Sequence, residues 1–177
     1  MTNTINIFTD GSAINNGRAD AIGGIGIYIP ELNYRLSMPY LIELATNQRC
    51  ELYAIMKALE YYMTKSLEKS MPKHIRIYSD SMYCINVCQK WIPSWKKKEW
   101  KTSDGSEVKN LCLVQAIDTL QVWYYRFGIK IDYEFVGSHR EEPKDKKSKE
   151  YFLWNGNETA DQLAKKASVT LIKKAKG

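Results

Sequence analysis

Long hydrophobic runs are missing from this sequence of 177 residues. A membrane-spanning helix needs about 20 consecutive apolar residues, and no run approaches that length, so we expect no membrane partner. Residues 1–6 are polar and lack the basic and apolar regions of a secretory signal peptide. We therefore expect an intracellular protein, in the cytoplasm or, if its source is eukaryotic, in the nucleus.

Cysteine and histidine are scarce, which argues against a zinc module. The four cysteines form no Cys-x-x-Cys pair, and only His74 and His139 are available to assist them as ligands. We interpret the cysteines as small, buried, apolar side chains of a protein in a reducing compartment. They are Cys50, Cys84, Cys88 and Cys112.

Basic residues, in contrast, are in excess and clustered. The chain has 26 Lys and Arg against 20 Asp and Glu, a formal net charge of +6. They concentrate at 95–101, 144–149 and 173–176, a distribution expected of a nucleic-acid binder. With 44% hydrophobic residues, the length suits one globular domain over residues 1–177.

Hydrophobic periodicity predicts an α/β fold. Alternating apolar and polar residues predict strands at 5–10, 23–29, 34–44, 75–80 and 129–136. Helical spacing predicts helices at 47–67, 81–91, 108–127 and 157–174. The order βββ-α-β-α-α-β-α predicts a mixed sheet with helices on its faces.

Single residues add detail to this prediction. Pro39 places the third strand at an edge of the sheet or at a bulge, and Pro93 ends the second helix. Asn157 is a good N-cap for the last helix. Alternation in the last strand directs four side chains inward, and these are Ile129, Ile131, Tyr133 and Phe135.

Four carboxylates occupy positions that suggest chemistry. Asp10 and Asp80 each end a predicted strand. If those strands are parallel neighbours, both carboxylates lie at the edge of the sheet where open α/β folds bind ligands. Glu51 precedes the apolar stripe of its helix and can lean toward the sheet, and Asp161 falls in the opening turns of the last helix.

Each carboxylate also has a simpler explanation. Asp10 followed by Gly suits a turn, Asp80 suits a helix cap, and Glu51 or Asp161 suits a helix N-terminus. Composition and spacing do not force the four together. If they do meet, their repulsion calls for divalent cations, and Mg²⁺ prefers carboxylate oxygens.

Six segments of this sequence, in their order and spacing, resemble type 1 ribonuclease H over nearly the whole chain. The segments are TDGS at 9–12, TNQRCEL at 46–52, YSDSMY at 78–83, WIPSWKKKEWKT at 91–102, VGSH at 136–139 and GNETADQLA at 156–164. Each is weak alone, but the set is highly specific. The resemblance implies an RNase H-like fold, a five-stranded mixed sheet of antiparallel meander plus parallel strands flanked by α-helices.

The resemblance also implies an activity, hydrolysis of the RNA strand of an RNA–DNA hybrid by a metal-dependent endonuclease. The family's catalytic, metal-binding carboxylates fall on Asp10, Glu51, Asp80 and Asp161, and its mobile histidine falls on His139. Two Mg²⁺ ions, with Mn²⁺ as the alternative, would activate a water for in-line attack that leaves 5′-phosphate and 3′-hydroxyl ends. The implied partner is the hybrid duplex, bound by a monomer without an obligate protein partner.

Four residues match the family's RNA-strand groove, where recognition of RNA requires contact with the 2′-hydroxyl. They are Asn16, Asn47, Gln48 and Met82. Amide side chains suit this task because they both donate and accept hydrogen bonds. Turn and cap roles explain Asn16 and Asn47 equally well.

Further matches concern the DNA strand. Tyr83 and Trp95 match a DNA-strand channel, and Thr46 and Asn110 match a pocket for one DNA phosphate. Residues 91–105 resemble the family's basic protrusion, in which lysines attract phosphates and tryptophans offer flat apolar platforms. Its substrate-binding candidates are Trp95, Lys96, Lys97, Lys98, Trp100 and Lys101.

Three features depart from the family pattern. Leu44 stands where the phosphate pocket often has an arginine. About a dozen extra residues precede Asp161 and form a predicted charged loop at 140–156, which either contacts the hybrid or is simply solvated. No separate N-terminal hybrid-binding module is expected, because the catalytic segment starts at once.

Two rival functions follow from the same residues. One is a non-catalytic hybrid-binding protein on the same fold, since a fold alone does not fix a function. The other is a nuclease acting on duplex or branched DNA. Retention of all four carboxylates disfavours the first rival, and the amides expected to contact the 2′-hydroxyl disfavour the second.

Overall fold

The computed structural model describes residues 4–66, 72–138 and 141–175. Its strands are β1 (Thr4–Ile14), β2 (Ile22–Ile29), β3 (Tyr34–Tyr40), β4 (His74–Ser79) and β5 (Lys130–Phe135). They form one sheet in the order β3-β2-β1-β4-β5. The first three pair antiparallel, whereas β4 pairs parallel with both β1 and β5. The predicted five-stranded mixed sheet is confirmed.

Helices cover both faces of the sheet. They are α1 (Asn47–Ser66), α2 (Met82–Asn86), α3 (Ile92–Lys97), α4 (Leu111–Arg126) and α5 (Lys149–Ala175), with a 3₁₀ turn at Pro30–Leu32 and a π-helical turn at Val87–Trp91. The larger hydrophobic core lies between the sheet and the pair α1 and α4. A smaller aromatic cluster around Phe8 and Tyr78 lies under α5 on the other face.

Two glycines in the central strands let a helix approach each face of the sheet closely. A Cβ at Gly11 would collide with the backbone of Glu51 in α1. A Cβ at Gly26 would collide with the backbone of Ala160 in α5. Gly26 pairs with Asp10 in the register of β1 and β2, and paired residues share a face. The helix α5 therefore meets the sheet directly beside Asp10.

Two strand boundaries differ from the prediction because pairing between strands overrides local signals. Asp10 does not end β1, since pairing with β2 continues to Ile14 opposite Ile22. The third strand stops at Tyr40, and residues 41–44 form an exposed irregular segment. Pro39 does lie in an edge strand, as predicted.

Pro93 does not end the second predicted helix. Helical backbone continues from α2 through the π-helical turn into α3, and Pro93 stands in the first turn of α3. The sequence prediction ended the helix at Pro93, whereas the helical backbone continues through it to Lys97.

The last helix begins at Lys149, well before the predicted N-cap Asn157. Ser148 caps it instead, because its Oγ accepts the N–H of Tyr151 at 3.0 Å. The predicted loop at 140–156 is therefore helical from Lys149 onward. Gly156 does not interrupt the helix, and a side chain there would strike the ring of Phe8.

Two side chains predicted to be buried are exposed. Phe135, at the end of the edge strand β5, is 46% exposed, and Cys112 lies on the outer surface of α4. Cys50, Cys84 and Cys88 are buried as predicted, and all four cysteines are free thiols. Within the described ranges, no helix combines the length and hydropathy that would let it span a bilayer.

Candidate active site

Asp10, Glu51 and Asp80 meet at one end of the sheet. Phe8 pairs with Tyr78 across the parallel strands β1 and β4, so Asp10 and Asp80, two residues further on, stand level. Glu51 comes from the first turns of α1, which the absence of a side chain at position 11 brings against β1. One oxygen from each carboxylate lies within 4.8 Å of the other two, a grouping that could hold a metal ion.

Asp161 approaches the same end of the sheet from α5. Its charge is close enough to raise the pKa of both Asp10 and Asp80. Among the described residues, however, the group of oxygens within 4.8 Å does not include it. Its Oδ2 accepts a hydrogen bond from Lys165 Nζ at 2.7 Å. Asp161 lies in the interior of α5, which corrects the prediction that it falls in the opening turns.

Burial and mutual repulsion make the negatively charged form of these carboxylates unfavourable. Burial, followed by the charges of Asp80, Asp161 and Glu51, raises the pKa of Asp10 well above its ordinary value. Burial also raises the pKa of Glu51 to about 7, although a hydrogen bond with Ser81 opposes the shift. The pKa of Asp80 is raised by burial and then by Asp161. A cation bound between the carboxylates would relieve this repulsion.

Two neighbouring side chains hold the carboxylates in place. Asn157, only 8% exposed, lies beside the carboxylate of Asp80 and lowers its pKa. Ser81 lies beside Glu51 and lowers its pKa, and its Oγ accepts the N–H of Cys84 at 3.4 Å, so Ser81 and not Asp80 caps α2. Sequence reasoning missed both roles. The available signal was spacing, because Asn157 stands one helical turn before Asp161 and on the same side.

The chemistry of the donors fits a hard divalent cation. Asp10, Glu51 and Asp80 offer only carboxylate oxygens, which suit Mg²⁺ and Mn²⁺. The thiol of Cys84 donates a weak hydrogen bond to Glu51 Oε2 at 3.7 Å, and burial raises its pKa well above the ordinary value. That thiol is therefore a neutral support of Glu51.

The predicted RNA-strand residues lie in the turn after β1, at the start of α1 and, for Met82, at the start of α2. Asn16 Oδ1 accepts the N–H of Asn47 at 2.9 Å, and Asn47 Oδ1 accepts the N–H of Ala13 at 2.8 Å. Their oxygens thus fix the local backbone, which leaves the amide N–H groups as donors. Gln48 and Met82 are exposed.

An aromatic cluster forms the base of the predicted protrusion. The ring of Trp91 lies 5.8 Å from that of Tyr83 and 5.6 Å from that of Trp95. Trp95 and Trp100 pack against the main core and are half-buried, so they anchor the segment as well as offering surface. Its lysines are exposed, namely Lys96, Lys97, Lys98 and Lys101.

Thr46 and Asn110 face a common cleft of about 950 Å³ between the starts of α1 and α4. Thr46 caps α1, because its Oγ1 accepts the N–H of Arg49 at 3.1 Å. Asn110 Nδ2 donates to the hydroxyl of Tyr83 at 3.2 Å, which connects the cleft to the aromatic cluster. The remaining predicted site residue, His139, lies outside the described residues.

Comparison with known proteins gives one consistent family. A family model described as RNase H matches residues 2–169. Human Ribonuclease H1 is 33% identical over 171 residues, which cover 95% of this chain and 51% of that protein. Ribonuclease H of Mannheimia succiniciproducens is 34% identical over 168 residues, which cover 95% of this chain and 89% of that protein. The resemblance stated from the sequence is confirmed.

A structural comparison supports the fold. The structure of the foamy viral protease-reverse transcriptase in complex with an RNA/DNA hybrid superposes with a TM-score of 0.66 and 22% identity, covering 94% of this chain and 20% of that chain. At that identity the likeness concerns the fold alone. The chain spans about half the length of several relatives that it matches, the human protein included.

Proposed function

Because the chain belongs to the ribonuclease H family, as the match over residues 2–169 shows, we propose that it is an endonuclease that hydrolyses the RNA strand of RNA–DNA hybrids. The observation that carries the proposal is the meeting of Asp10, Glu51 and Asp80 at one end of the sheet. The superposed viral protein was captured with an RNA/DNA hybrid, which supports this substrate class.

In this proposal the cluster holds Mg²⁺, with Mn²⁺ as the alternative. Asp10, Glu51 and Asp80 would be the main ligands, and Asp161 would join them if its carboxylate turned from Lys165. Cations held there would supply Lewis-acid chemistry for hydrolysis of the phosphodiester that leaves 5′-phosphate and 3′-hydroxyl ends. Asn157, which lies beside Asp80 and lowers its pKa, would help to keep that carboxylate in position.

Strand discrimination is assigned to two surfaces beside the cluster. The free N–H groups of Asn16 and Asn47, with exposed Gln48 and Met82, contact the 2′-hydroxyls of the RNA strand. On the other side the aromatic cluster and the lysines of the protrusion hold the DNA strand without cutting it. The proximity of both surfaces to one carboxylate cluster favours a catalyst over a scaffold.

A cleavage assay tests the proposal. A labelled RNA–DNA hybrid is incubated with the protein, with and without Mg²⁺, beside Asp80→Asn, which keeps the side-chain shape and removes the charge. RNA–RNA and DNA–DNA duplexes of the same sequence serve as controls. We expect cleavage of the hybrid's RNA strand only, dependent on the metal and lost in the variant.

The rival functions give different results in the same assay. Tight binding of the hybrid without cleavage under any divalent ion would establish the non-catalytic protein. Cleavage of the DNA–DNA duplex at a rate similar to that of the hybrid would establish the DNA nuclease. Either result would overturn the proposal.

A further inference from the structure

Lys96 differs from the other lysines of the protrusion because a carboxylate already holds it. Its Nζ lies 2.9 Å from both Oδ1 and Oδ2 of Asp118, in the middle of α4. The side chain of Asp118 is only 15% exposed, whereas that of Lys96 is 42% exposed. Within the described ranges, neither Lys97 nor Lys98 forms an ion pair with a carboxylate. The ammonium group of Lys96 is therefore engaged inside the protein, and those of its neighbours are free.

The geometry of α3 explains this difference between neighbouring lysines. Successive residues of an α-helix point about 100° apart around its axis, so Lys96 and Lys97 cannot both face α4. Trp95 packs against the main core, and Lys96, which follows it, is directed toward α4. Lys97 and the C-cap residue Lys98 are left in solvent.

Asp118 should retain Lys96 when a phosphate of the substrate approaches. An ion pair between two exposed side chains contributes little and opens readily. Asp118, however, is mostly shielded from water, so loss of its cation would leave a poorly solvated carboxylate without a partner. Leaving a charge in that state is costly. A phosphate that took Lys96 from Asp118 would have to compensate for this loss.

The turn that follows α3 needs an anchor of this kind. Glu99 and Trp100 have φ of 51° and 63°, and two consecutive residues other than glycine in this left-handed conformation are strained. Such strain persists only where surrounding contacts enforce it. The N–H groups of Lys98 and Trp100 donate to the carbonyl oxygen of Trp95 at 3.0 and 2.8 Å. Both hydrogen bonds depend on the position of Trp95, the neighbour of Lys96 in α3.

We propose that Lys96 and Asp118 are a positioning pair: Lys96 contacts no phosphate, and the ion pair holds α3 against α4. The pair thereby keeps the strained turn in place and fixes the direction in which Lys97, Lys98 and Lys101 extend. The inference rests on the proposed function in one respect, namely that the protrusion binds the hybrid.

Amide hydrogen exchange in the free protein tests the anchoring role. Lys96→Met removes the cation and keeps most of the side chain. We expect the N–H groups of Lys98 and Trp100 to exchange several-fold faster in this variant than in the parent, because their common acceptor lies on a loosened α3. Lys97→Met, which removes the neighbouring charge, should leave both rates unchanged. Unchanged rates in Lys96→Met as well would overturn the inference.

An exchange of charges tests whether Lys96 contacts the hybrid. Binding is measured by fluorescence anisotropy at low salt on the full chain carrying Asp80→Asn, so that the substrate stays intact. Lys96→Asp should weaken binding several-fold, because two carboxylates then repel each other and displace α3. The addition of Asp118→Lys restores an ion pair of reversed polarity and the net charge of the parent. The double variant should therefore bind the hybrid as tightly as the parent.

Lys97 supplies the matched control for this exchange. Lys97→Asp should weaken binding several-fold, and the addition of Asp118→Lys should not restore it, since position 97 faces solvent. If the double variant at 96 and 118 binds as weakly as Lys96→Asp alone, Lys96 contacts the hybrid directly and the inference is wrong. Equal rescue of Lys97→Asp would show that only net charge matters, which also contradicts it. If the parent does not bind the hybrid, the proposed function fails, whereas hydrogen exchange still decides the anchoring role.

Discussion

The carboxylate cluster and the basic protrusion arrange their charges in opposite ways. Asp10, Glu51 and Asp80 are fixed by β1, α1 and the end of β4, and Asp10 is only 6% exposed. The lysines of the protrusion extend into solvent from a short segment anchored by tryptophans. The cluster forces like charges together where they cannot separate, whereas the protrusion spreads them where water screens each one. A single change should therefore be drastic in the cluster and graded in the protrusion.

Asp10→Asn should show the strongest effect. Loss of this buried carboxylate should reduce cleavage by at least roughly a thousandfold, because the site loses a central ligand. The same change removes repulsion from Glu51 and Asp80, so the metal-free variant should melt at a higher temperature than the parent. Single-turnover cleavage and melting curves in chelator measure the two effects. A lower melting temperature for the variant would contradict the repulsion argument.

Glu51→Gln should reveal how the cluster destabilises the metal-free protein, because the effect of this change on the free energy of unfolding should depend on pH. The pKa of Glu51 is about 7 in the folded protein and ordinarily 4.5. Between these two pH values the folded state keeps a proton on Glu51 that the unfolded state has released. The metal-free parent should therefore lose stability as pH rises from about 4.5 to 7, and remain at that lower level above it. Gln has no proton to lose, so the variant should exceed the parent by on the order of 2 kcal/mol at pH 8.

Urea unfolding in chelator at pH 5 and pH 8 measures this difference. Glu60→Gln, on a more exposed part of the same helix, controls for loss of a carboxylate. Added Mg²⁺ should reverse the sign of the comparison at pH 8, because the parent binds it better. An equal advantage of Glu51→Gln at both pH values would show that the effect is not one of protonation.

Substitution of the protrusion lysines should have the smallest effects. Lys97→Gln, Lys98→Gln and Lys101→Gln should each weaken hybrid binding by a few-fold at low salt and lower the salt slope by up to about 0.9. The maximal cleavage rate should be unchanged, since these three lysines belong to the protrusion and not to the carboxylate cluster. Lys130→Gln, paired with Asp132 at 2.8 Å in β5, serves as control. A fall in the maximal rate would mean that the protrusion also shapes the cluster.

Short-range patterns predicted the strands that carry Asp10 and Asp80, whereas the meeting of the two carboxylates was predicted only on the condition that those strands are parallel neighbours. Alternation identified both strands, and parallel pairing brings their carboxylates level. The prediction failed on the end of β1, because the Asp-Gly pair resembles a turn when its partner strand is unknown. The role of Gly26 could not be found in the same way, since it depends on pairing opposite Asp10 and on contact with α5.

The start of α5 shows how a strong local signal can mislead. Gly156 followed by Asn157 resembles a helix boundary, and Asn is a favoured N-cap. In the folded protein the glycine accommodates the ring of Phe8, and the asparagine lies beside Asp80 and lowers its pKa. Both residues make tertiary contacts that the pattern of a helix start does not predict. The substrate-binding assignments, which rest on resemblance, stay predictions.

Because α5 begins at Lys149, Asp161 is remote from the fraying end of its helix. Amide hydrogens at helix ends exchange with solvent through small local openings, whereas amide hydrogens in the helix interior exchange only when a larger cooperative unit opens. We expect the backbone amide of Asp161 to exchange only when α5 detaches from the sheet. The position of Asp161 is therefore rigid, but it depends on the stability of the whole helix. A destabilising change far along α5 would increase the mobility of this carboxylate before the protein unfolds.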